Sequence, residues 1–362
     1  MASVIDVEDL TLNPKEAQEI SEISFDIIWN DESLLTKVHD IITGIKMKEQ
    51  IVFGSDLGDS LKVLKGCKPD TAKGFELSEK FWNPEIFAAR WEHCQRDVDR
   101  LFKMWQNFDK INPDFFELST EEMAVIVMAI MNSLPTNILT IVWFADTEAE
   151  HIADGGAFSA GVDLDLYNGI DGLWRQIFDE IPTTAANYVA IAKNNGANYA
   201  AQVLTPVEVY AVLNSMYFKA DRRLRVNDGA GGLTGGDVFY LVTDGIYDGY
   251  LQYLSTTQQT GAGNTMIVEN GQTVLRFFGI EVVNMTVWSR KIQELQNDGT
   301  KLNLPNRAVL TSKYNIPIGT TSEEDFDKVT SKFDDYENIN FMDVYMNLDA
   351  KLLRASAMVA AY

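Results

Sequence analysis

The chain has 362 residues, 46% of them hydrophobic, and a formal net charge of −23 from 53 acidic and 30 basic residues. A chain of this length buries about three quarters of its unfolded surface and can form one large domain or two to three smaller ones. Its negative charge repels phosphate, which argues against a general nucleic-acid-binding protein.

The two cysteines, Cys67 and Cys94, have neither the number for a disulfide framework nor the spacing of metal ligands. They are predicted to be reduced thiols of a protein that assembles in the cytosol. The N-terminal residues MASVIDVEDL carry acids where a signal peptide has a basic region. No targeting segment is therefore predicted.

The first helical signal is Asn13-Pro14, an N-cap residue followed by a proline at the first helical position. A second helix is predicted to begin at Asp31 and to end at Gly44, a residue type that favours helix ends. From Lys46 to Trp82 the sequence has short β-type runs, glycines and no helical period. This segment is predicted to be an exposed, extended loop or hairpin.

After Pro84, apolar residues at helical spacing predict a helix from Ile86 to about Phe108. A capping signal at Ser119 then precedes the longest apolar helix, predicted to run to about Ala145 with Pro135 inside it or bending it. A bilayer-spanning helix needs about twenty mostly apolar residues. The polar residues around Pro135 interrupt this stretch, so a buried helix is the better interpretation.

Further helices are predicted from Gly172 to Phe178 and from Thr205-Pro206 onward, and VFYLV is predicted to be a strand. The segment IYDGYLQYL is mixed, and the remainder, including VLRFFGIEVVNMTVW and RAVL, is predicted to be mostly β. A closing strand pair is predicted from the alternation of Met342, Val344, Met346 and Leu348 with other residues. The pattern favours a mixed α+β fold.

No catalytic, cofactor-binding or metal site is predicted from these residues. His39, His93 and His151 are scattered, and the segment Asp146 to His151 is interpreted as a solvated acidic turn. The glycine-rich segment from Asp228 to Gly236 lacks the Gly-Lys-Ser/Thr ending of a phosphate-binding loop. It is interpreted as a flexible loop.

Arg222, Arg223 and Arg225, with Lys219, form the one dense basic cluster in the acidic sequence. Two interpretations stay open with equal weight. The cluster is either a solvated helix end or a docking patch for the acidic surface of a neighbouring copy, since complementary patches fix the register between subunits.

The C-terminal third resembles the end of tailed-phage major capsid proteins of the Hong Kong 97 type, most of all those of crAss-like and related Bacteroidetes phages. The resemblance rests on Gly279 to Val283, the Pro305 to Arg307 turn, Asn315 to Gly319 and the ending Ala360-Ala361-Tyr362. Upstream, Lys80 to Phe102, Ile141 to Asp146 and Tyr167 to Ile177 resemble the same family in the same order. The resemblance covers roughly residues 81–362.

The resemblance implies an α+β fold with five parts. They are an N-terminal arm with helices (1–45), an extended loop (46–82), a peripheral domain with a spine helix at 119–146 (83–186), a mostly axial domain (187–288), and a return to the peripheral domain with closing strands (289–362). The family carries no catalytic residues in these domains. The extended loop is expected to reach onto a neighbouring subunit.

The implied function is self-assembly of hexameric and pentameric capsomers into an icosahedral virion shell, built in the host cytoplasm. The shell encloses double-stranded DNA without sequence-specific binding, and an acidic wall suits this because it does not hold phosphate. Portal, scaffolding and decoration proteins are further expected partners. The candidate contacts between subunits are Phe81, Trp82, Arg222, Arg223 and Arg225.

Two other functions stay open. A bacterial nanocompartment (encapsulin-type) shell protein shares the implied fold and would be distinguished by a pocket for a cargo peptide. An α+β enzyme of unrecognised family would be distinguished by a stoichiometric bound metal or a discrete soluble oligomer.

Overall fold

The computed structural model describes residues 34–54, 77–94, 134–225, 237–257, 265–269, 272–320, 330–334 and 339–362. Helices within these residues are α1 (Leu34–Val38), α2 (134–144), α3 (Leu173–Glu180), α4 (Pro206–Lys219), α5 (Arg222–Arg225), α6 (Asp244–Thr257) and α7 (Thr286–Leu295). Strands are β1 (Ile41–Ile42), β2 (Gln50–Gly54), β3 (Leu77–Phe81), β4 (Glu85–Cys94), β5 (Tyr188–Val189), β6 (Val238–Val242), β7 (Thr265–Glu269), β8 (Gln272–Phe277), β9 (Ile280–Asn284), β10 (Ala308–Ser312), β11 (Ile318–Thr320), β12 (Thr330–Asp334), β13 (Ile339–Ala350) and β14 (Met358–Ala361).

The larger sheet has seven strands in the order β5-β14-β10-β6-β9-β8-β7. β5 runs parallel to β14 and β6 parallel to β9, while the other neighbours are antiparallel. Every residue of β6, β10 and β14 is buried. Strands buried on both faces have nearly continuous apolar sequences, and VFYLV and MVAA show this pattern.

The two faces of this sheet lie in two separate apolar cores. Phe239 and Leu241 belong to the first core, with α2, α3 and α7, whereas Tyr240 and Val242 belong to the second, with α4 and α6. Successive side chains alternate between the faces of a strand. Each buried large apolar side chain contributes about 1.5–3 kcal/mol relative to exposure, so the sheet is stabilised from both sides.

The smaller sheet contains β1, β11, β13 and β12 in that order, and β4 also pairs with β13. β4 is antiparallel to β13 from the pair Glu85–Leu348 to the pair Cys94–Ile339. The helix predicted from Ile86 is therefore wrong over this range, and residues 95–108 lie outside the described part. In the strand, Phe87 pairs with Met346 and contacts the first core, while Ile86 is 65% exposed.

α2 is the described part of the long helix predicted from Ser119 to Ala145, and Pro135 lies within its helical range. Ile138, Val142 and Trp143 are buried in the first core. The described residues of this segment are thus helical as predicted, and residues 119–133 lie outside the described part. The predicted helix beginning at Asn13-Pro14 and the glycine-rich loop from Asp228 to Gly236 also lie outside it.

α3 and α4 follow the predicted signals. Gly172 is the N-cap residue of α3. At α4, Thr205 Oγ1 accepts a hydrogen bond from Glu208 N at 3.4 Å, and Glu208 Oε2 accepts one from Thr205 N at 2.8 Å. This capping box satisfies two backbone donors that a helix start leaves free, which explains why the helix begins at Pro206.

α7 corrects the prediction that the segment following β9 is β. The strand ends at Asn284, and Thr286–Leu295 is helical. Trp288, Ile292 and Leu295 are buried. Their spacing of four and three residues places them on one helical face. The helix follows directly after β9, so the sequence pattern gave no clear boundary between strand and helix.

A buried amide network holds the turn at Pro305 to Arg307. Asn194 Nδ2 donates to Asn306 O at 2.8 Å, and Asn306 N donates to Asn194 Oδ1 at 3.0 Å. Gln202 Oε1 accepts from Leu302 N at 3.0 Å, and Asn306 Nδ2 donates to Gln202 O at 2.8 Å. Segment 192–202 is thereby fixed to the turn.

Candidate functional site

The base of the predicted extended loop is a two-stranded hairpin of β2 and β3, which pair from Gln50–Phe81 to Gly54–Leu77. Trp82 follows β3 and is 3% exposed. Its backbone N–H donates to Glu49 O at 2.9 Å, and its O accepts from Lys48 N at 2.8 Å. A Cβ on Gly319 would lie 2.8 Å from the Trp82 ring, so only glycine permits this contact.

Trp82 therefore anchors the hairpin to its own chain. Burial leaves the side chain little free surface in the single chain, and its contact with a neighbouring subunit stays a prediction. Sequence reasoning missed this burial because a tryptophan beside a polar loop resembles an exposed contact residue. Phe81, the preceding residue, is 49% exposed and remains a candidate contact.

Asp349 holds the segment that leaves the hairpin. Its Oδ2 accepts from Asn83 N at 2.7 Å and lies 3.1 Å from Lys351 Nζ. Burial raises the pKa of this carboxyl, while Lys351 and the Asn83 hydrogen bond oppose the shift. Lys80 adds contacts with Glu180 and with Leu352 O.

α5 carries the predicted basic cluster. Arg222 is exposed, and the Arg225 guanidinium carbon lies 5.5 Å from the centre of the Tyr217 ring. The Nε of Arg225 is buried and has no hydrogen-bond partner among the described residues. The side chain of Arg223 lies outside the described part of the chain. Within that part, no carboxylate forms an ion pair with Arg222 or Arg225.

The predicted acidic turn surrounds Arg175. This guanidinium lies 2.9 Å from Glu148, 3.1 Å from Asp179 and 3.8 Å from Asp146. Burial lowers the pKa of Arg175, but Asp146, Asp179 and Glu148 outweigh that effect and raise it overall. The negative charges of this turn are thus gathered around one cation at the surface.

His151 does not join these acids as a ligand, since its Nδ1 lies 2.9 Å from Ser159 O. His39 is buried, and both its ring nitrogens lie within hydrogen-bond distance of groups in the same chain. Across the described residues, no group of three or more His, Cys, Asp or Glu side chains is arranged to hold a metal ion. No described helix is long and apolar enough to cross a bilayer.

A cavity of about 690 Å³ opens beside the acidic turn and is lined in part by Asp146, Trp174 and Phe178. Behind its wall, Arg307 is fully buried, and burial lowers its pKa to about 9. Its Nε donates to Leu304 O at 2.8 Å, and its guanidinium carbon lies 5.0 Å from the Trp174 ring centre.

Sequence reasoning noted Arg307 only as part of the Pro305 to Arg307 turn and gave it no structural role. A buried cation enclosed by aromatic rings and carbonyl groups has no local sequence signal. The rings come from α2 and α3, far from the turn in sequence.

No protein-family model matches the chain, and no curated protein matches it. Among solved structures, a chain of the satellite phage P4 procapsid including the size determination (Sid) protein is similar, with a TM-score of 0.50 and 10% identity, over 95% of this chain and 98% of that chain. The cyanophage A-1(L) capsid has a TM-score of 0.48 and 13% identity, over 92% of this chain and 94% of that chain. The SrpI encapsulin complex of Synechococcus elongatus PCC 7942 has a TM-score of 0.46 and 8% identity, over 91% of each chain.

At such low identity, the likeness to the P4 procapsid chain establishes the fold. The predicted fold class, α+β of the Hong Kong 97 capsid type, is confirmed by it.

Proposed function

We propose that this chain is the major capsid protein of a tailed bacteriophage, a structural protein that self-assembles into an icosahedral shell around double-stranded DNA. The observation that carries the proposal is the fold shared with a procapsid chain over 95% of this chain and 98% of that chain. The net charge of −23 supports it, because a wall of this sign leaves packaged DNA mobile. We propose no catalytic role.

The test is expression of the full chain, alone and with its neighbouring genes, followed by sedimentation and electron microscopy. Closed shells are expected. A discrete small oligomer under all conditions would overturn the proposal and favour an enzyme. Shells that enclose a protein cargo and exclude DNA would favour the nanocompartment function.

We assign the parts of the subunit as the resemblance implies. The arm is 1–45, the extended loop 46–82, the peripheral domain 83–186, the mostly axial domain 187–288, and the return to the peripheral domain 289–362. The separate cores on the two faces of the large sheet support a division of this kind.

We also propose that the extended loop contacts a neighbouring subunit in the shell. The exposed Phe81 and Met47 at its base support this, since they offer apolar surface that a single chain leaves in water. The buried Trp82 holds the base of the loop in place on its own subunit, so that the rest of the loop can contact a neighbour.

Arg222, Arg223 and Arg225 are proposed to pair with carboxylates of an adjacent subunit and to set its register. Guanidinium groups bind carboxylates through two parallel hydrogen bonds and stay charged. One exposed pair contributes about 0–1 kcal/mol, so the effect depends on repetition around a symmetry axis.

To test the arginines, Arg222 and Arg223 are replaced by Gln, and assembly yield is compared at low and high salt. A reduced yield that depends on salt is expected, while Arg290→Gln, at an exposed arginine of α7, should leave the yield unchanged. Equal yields for wild type and the double variant at both salt concentrations would favour the other interpretation, in which the cluster is a solvated helix end.

The narrower resemblance to crAss-like and related Bacteroidetes phage proteins rests on the motifs of the C-terminal third and is proposed on that ground. Assembly in the host cytoplasm, and portal, scaffolding and decoration proteins as partners, are proposed with it. Mass spectrometry of purified virions of such a phage, with this chain as the most abundant protein, is the expected result.

A further inference from the structure

The outer face of α4 carries exposed apolar side chains, with the polar residues Asn214 and Ser215 between them. The inner face, with Val209, Leu213 and Met216, is buried in the second core. On the outer face, Val207 is 68% exposed, Phe218 is 63% exposed, and Ala211 between them is exposed. Residues spaced by four and seven lie on one side of a helix. We call Val207, Ala211 and Phe218 the α4 stripe.

Further exposed apolar side chains lie just before α4 in the chain. Tyr199, 43% exposed, and Val203, 64% exposed, precede α4 in the chain. Lys193 Nζ donates to Val203 O and lies 3.3 Å from Glu208 of α4. Single exposed hydrophobic residues are ordinary, but contiguous patches mark interaction surfaces.

The α4 stripe continues into an aromatic and cationic group. The Phe218 and Phe278 rings lie 6.4 Å apart, and the Tyr217 and Phe278 rings 4.6 Å apart. Arg225 lies over Tyr217 at 5.5 Å. Aromatic residues and arginine are enriched in the cores of protein interfaces and in the residues that dominate binding energy.

The charges around the α4 stripe indicate its partner. Near its start, Glu208 is already bonded to Thr205 and lies 3.3 Å from Lys193. At its end, Arg222 is exposed and forms no ion pair with a described carboxylate, and the Arg225 guanidinium lies over the Tyr217 ring. The surface therefore offers apolar area and unmatched positive charge. A copy of this chain, with 53 acidic against 30 basic residues, supplies the complementary charge.

We propose that the α4 stripe, with Arg222 and Arg225 at its end, is a contact surface that docks against a second copy of this chain. The inference rests on the proposed shell function and specifies one contact within it. A helix of fourteen residues is about 21 Å long. Its face covers less than the roughly 800 Å² per partner of a stable interface, so it forms part of a larger contact.

The first experiment measures the threshold protein concentration for assembly of the full chain by light scattering and sedimentation velocity. Val207→Ser combined with Phe218→Ser should raise the threshold about tenfold or more, because both apolar side chains lose their cover. Leu166→Ser, at a side chain 57% exposed elsewhere, is the matched control and should change it less than about twofold. Far-ultraviolet circular dichroism verifies that each variant folds. An unchanged threshold for the folded double variant would overturn the proposal.

The second experiment does not depend on the effect of a substitution on assembly. Val207→Cys is made in a chain with Cys67→Ser and Cys94→Ser, and thiol labelling is followed before and after assembly. Labelling should slow about tenfold or more on assembly, whereas Leu166→Cys in the same background should keep its rate. Equal reactivity of position 207 in both states overturns the contact.

Failure of the α4 stripe and failure of the shell function give different results. If the chain forms a small oligomer and no shell, but position 207 is protected, the shell function fails and the contact stands. If shells form and position 207 stays reactive, only the contact fails. A chain that stays monomeric at all concentrations overturns both.

Discussion

The imidazole of His39 accepts a hydrogen bond from the indole of Trp143, with 3.1 Å between His39 Nε2 and Trp143 Nε1. The other ring nitrogen, Nδ1, lies 2.8 Å from Ile316 O and donates to it. This pattern requires the neutral ring with its proton on Nδ1. One side chain thus joins α1 and α2 to the segment before β11.

Stability should fall on acidification through the titration of His39. Burial lowers the pKa of His39 to about 4, although the hydrogen bond to Ile316 opposes this. The unfolded chain therefore binds a proton at a higher pH than the folded chain, so stability is complete above about pH 6.5 and falls towards pH 4. The loss amounts to about 3 kcal/mol from a shift of roughly two and a half units.

The measurement is urea unfolding of wild type and His39→Gln between pH 4 and 7. The variant should lose less stability than wild type between pH 6.5 and pH 4, because glutamine does not titrate. A wild-type slope retained in His39→Gln would contradict the assignment.

Arg307 should matter more for stability than Arg175, although Arg175 has more ion pairs. Replacing Arg307 by Ala leaves buried acceptors at Gln296, Asn303 and Leu304 without their donor and opens a cavity, at a cost of about 3–5 kcal/mol. Arg175→Ala removes contacts at a side chain that is 33% exposed and should cost about 0–1 kcal/mol.

Chemical denaturation of both variants tests this order. Arg307→Lys should lie between wild type and Arg307→Ala, because lysine keeps the charge but loses the planar contact with Trp174. A larger loss for Arg175→Ala than for Arg307→Ala would refute the argument.

Gly249 should not tolerate alanine while Val209 is present. A Cβ at Gly249 would lie 2.7 Å from Val209 Cγ2, where α6 crosses α4. Alanine gains about 1 kcal/mol in helix propensity, but overpacking costs about 1–3 kcal/mol and determines the sign. Gly249→Ala should therefore lower the unfolding free energy.

The matched variant is Gly249→Ala with Val209→Ala, compared with both single changes in a double-mutant cycle. A favourable coupling of about 1 kcal/mol or more is expected, since the second change removes the clashing methyl group. If the two changes in unfolding free energy were simply additive, the Gly249 Cβ would not clash with Val209, and the two helices would move apart at no cost in stability.

Deleting Leu57 to Gly74 should leave the subunit folded and prevent closed shells. The deleted residues lie outside the described part, between β2 and β3, and the buried Trp82 at the hairpin base is kept. The melting temperature should change by only a few degrees, because about 1 kcal/mol corresponds to roughly 2–4 °C at 150–250 residues and to less in a longer chain. A second variant replaces the deleted residues by a Gly-Ser segment of equal length. It shows whether an effect on assembly comes from the lost contacts or from the shortened loop. Closed shells from either variant would contradict the proposed role of the loop.

Several elements follow from local sequence signals alone. Thr205-Pro206 with Glu208 begins α4, and VFYLV is a buried strand, as predicted. In each case the determinant lies within a few residues: a cap that satisfies backbone donors, or an apolar run between turn residues.

Tertiary contacts decided the elements that the sequence left ambiguous. The residues Glu85–Cys94 fit a helical period, and they became a strand because their partner, Ile339–Ala350, lies about 250 residues away and offers a ten-pair antiparallel register. The sequence predicts Trp82 as a contact for a neighbour, and the structure buries it against Gly319 of its own chain. Arg307 is enclosed by aromatic rings of α2 and α3. The residues of its own turn carry no signal for this contact. Periodicity and capping depend on residues that are close in the sequence, so they can be recognised from the sequence alone. Strand pairing and burial depend on which distant segments meet, and only the folded chain determines that.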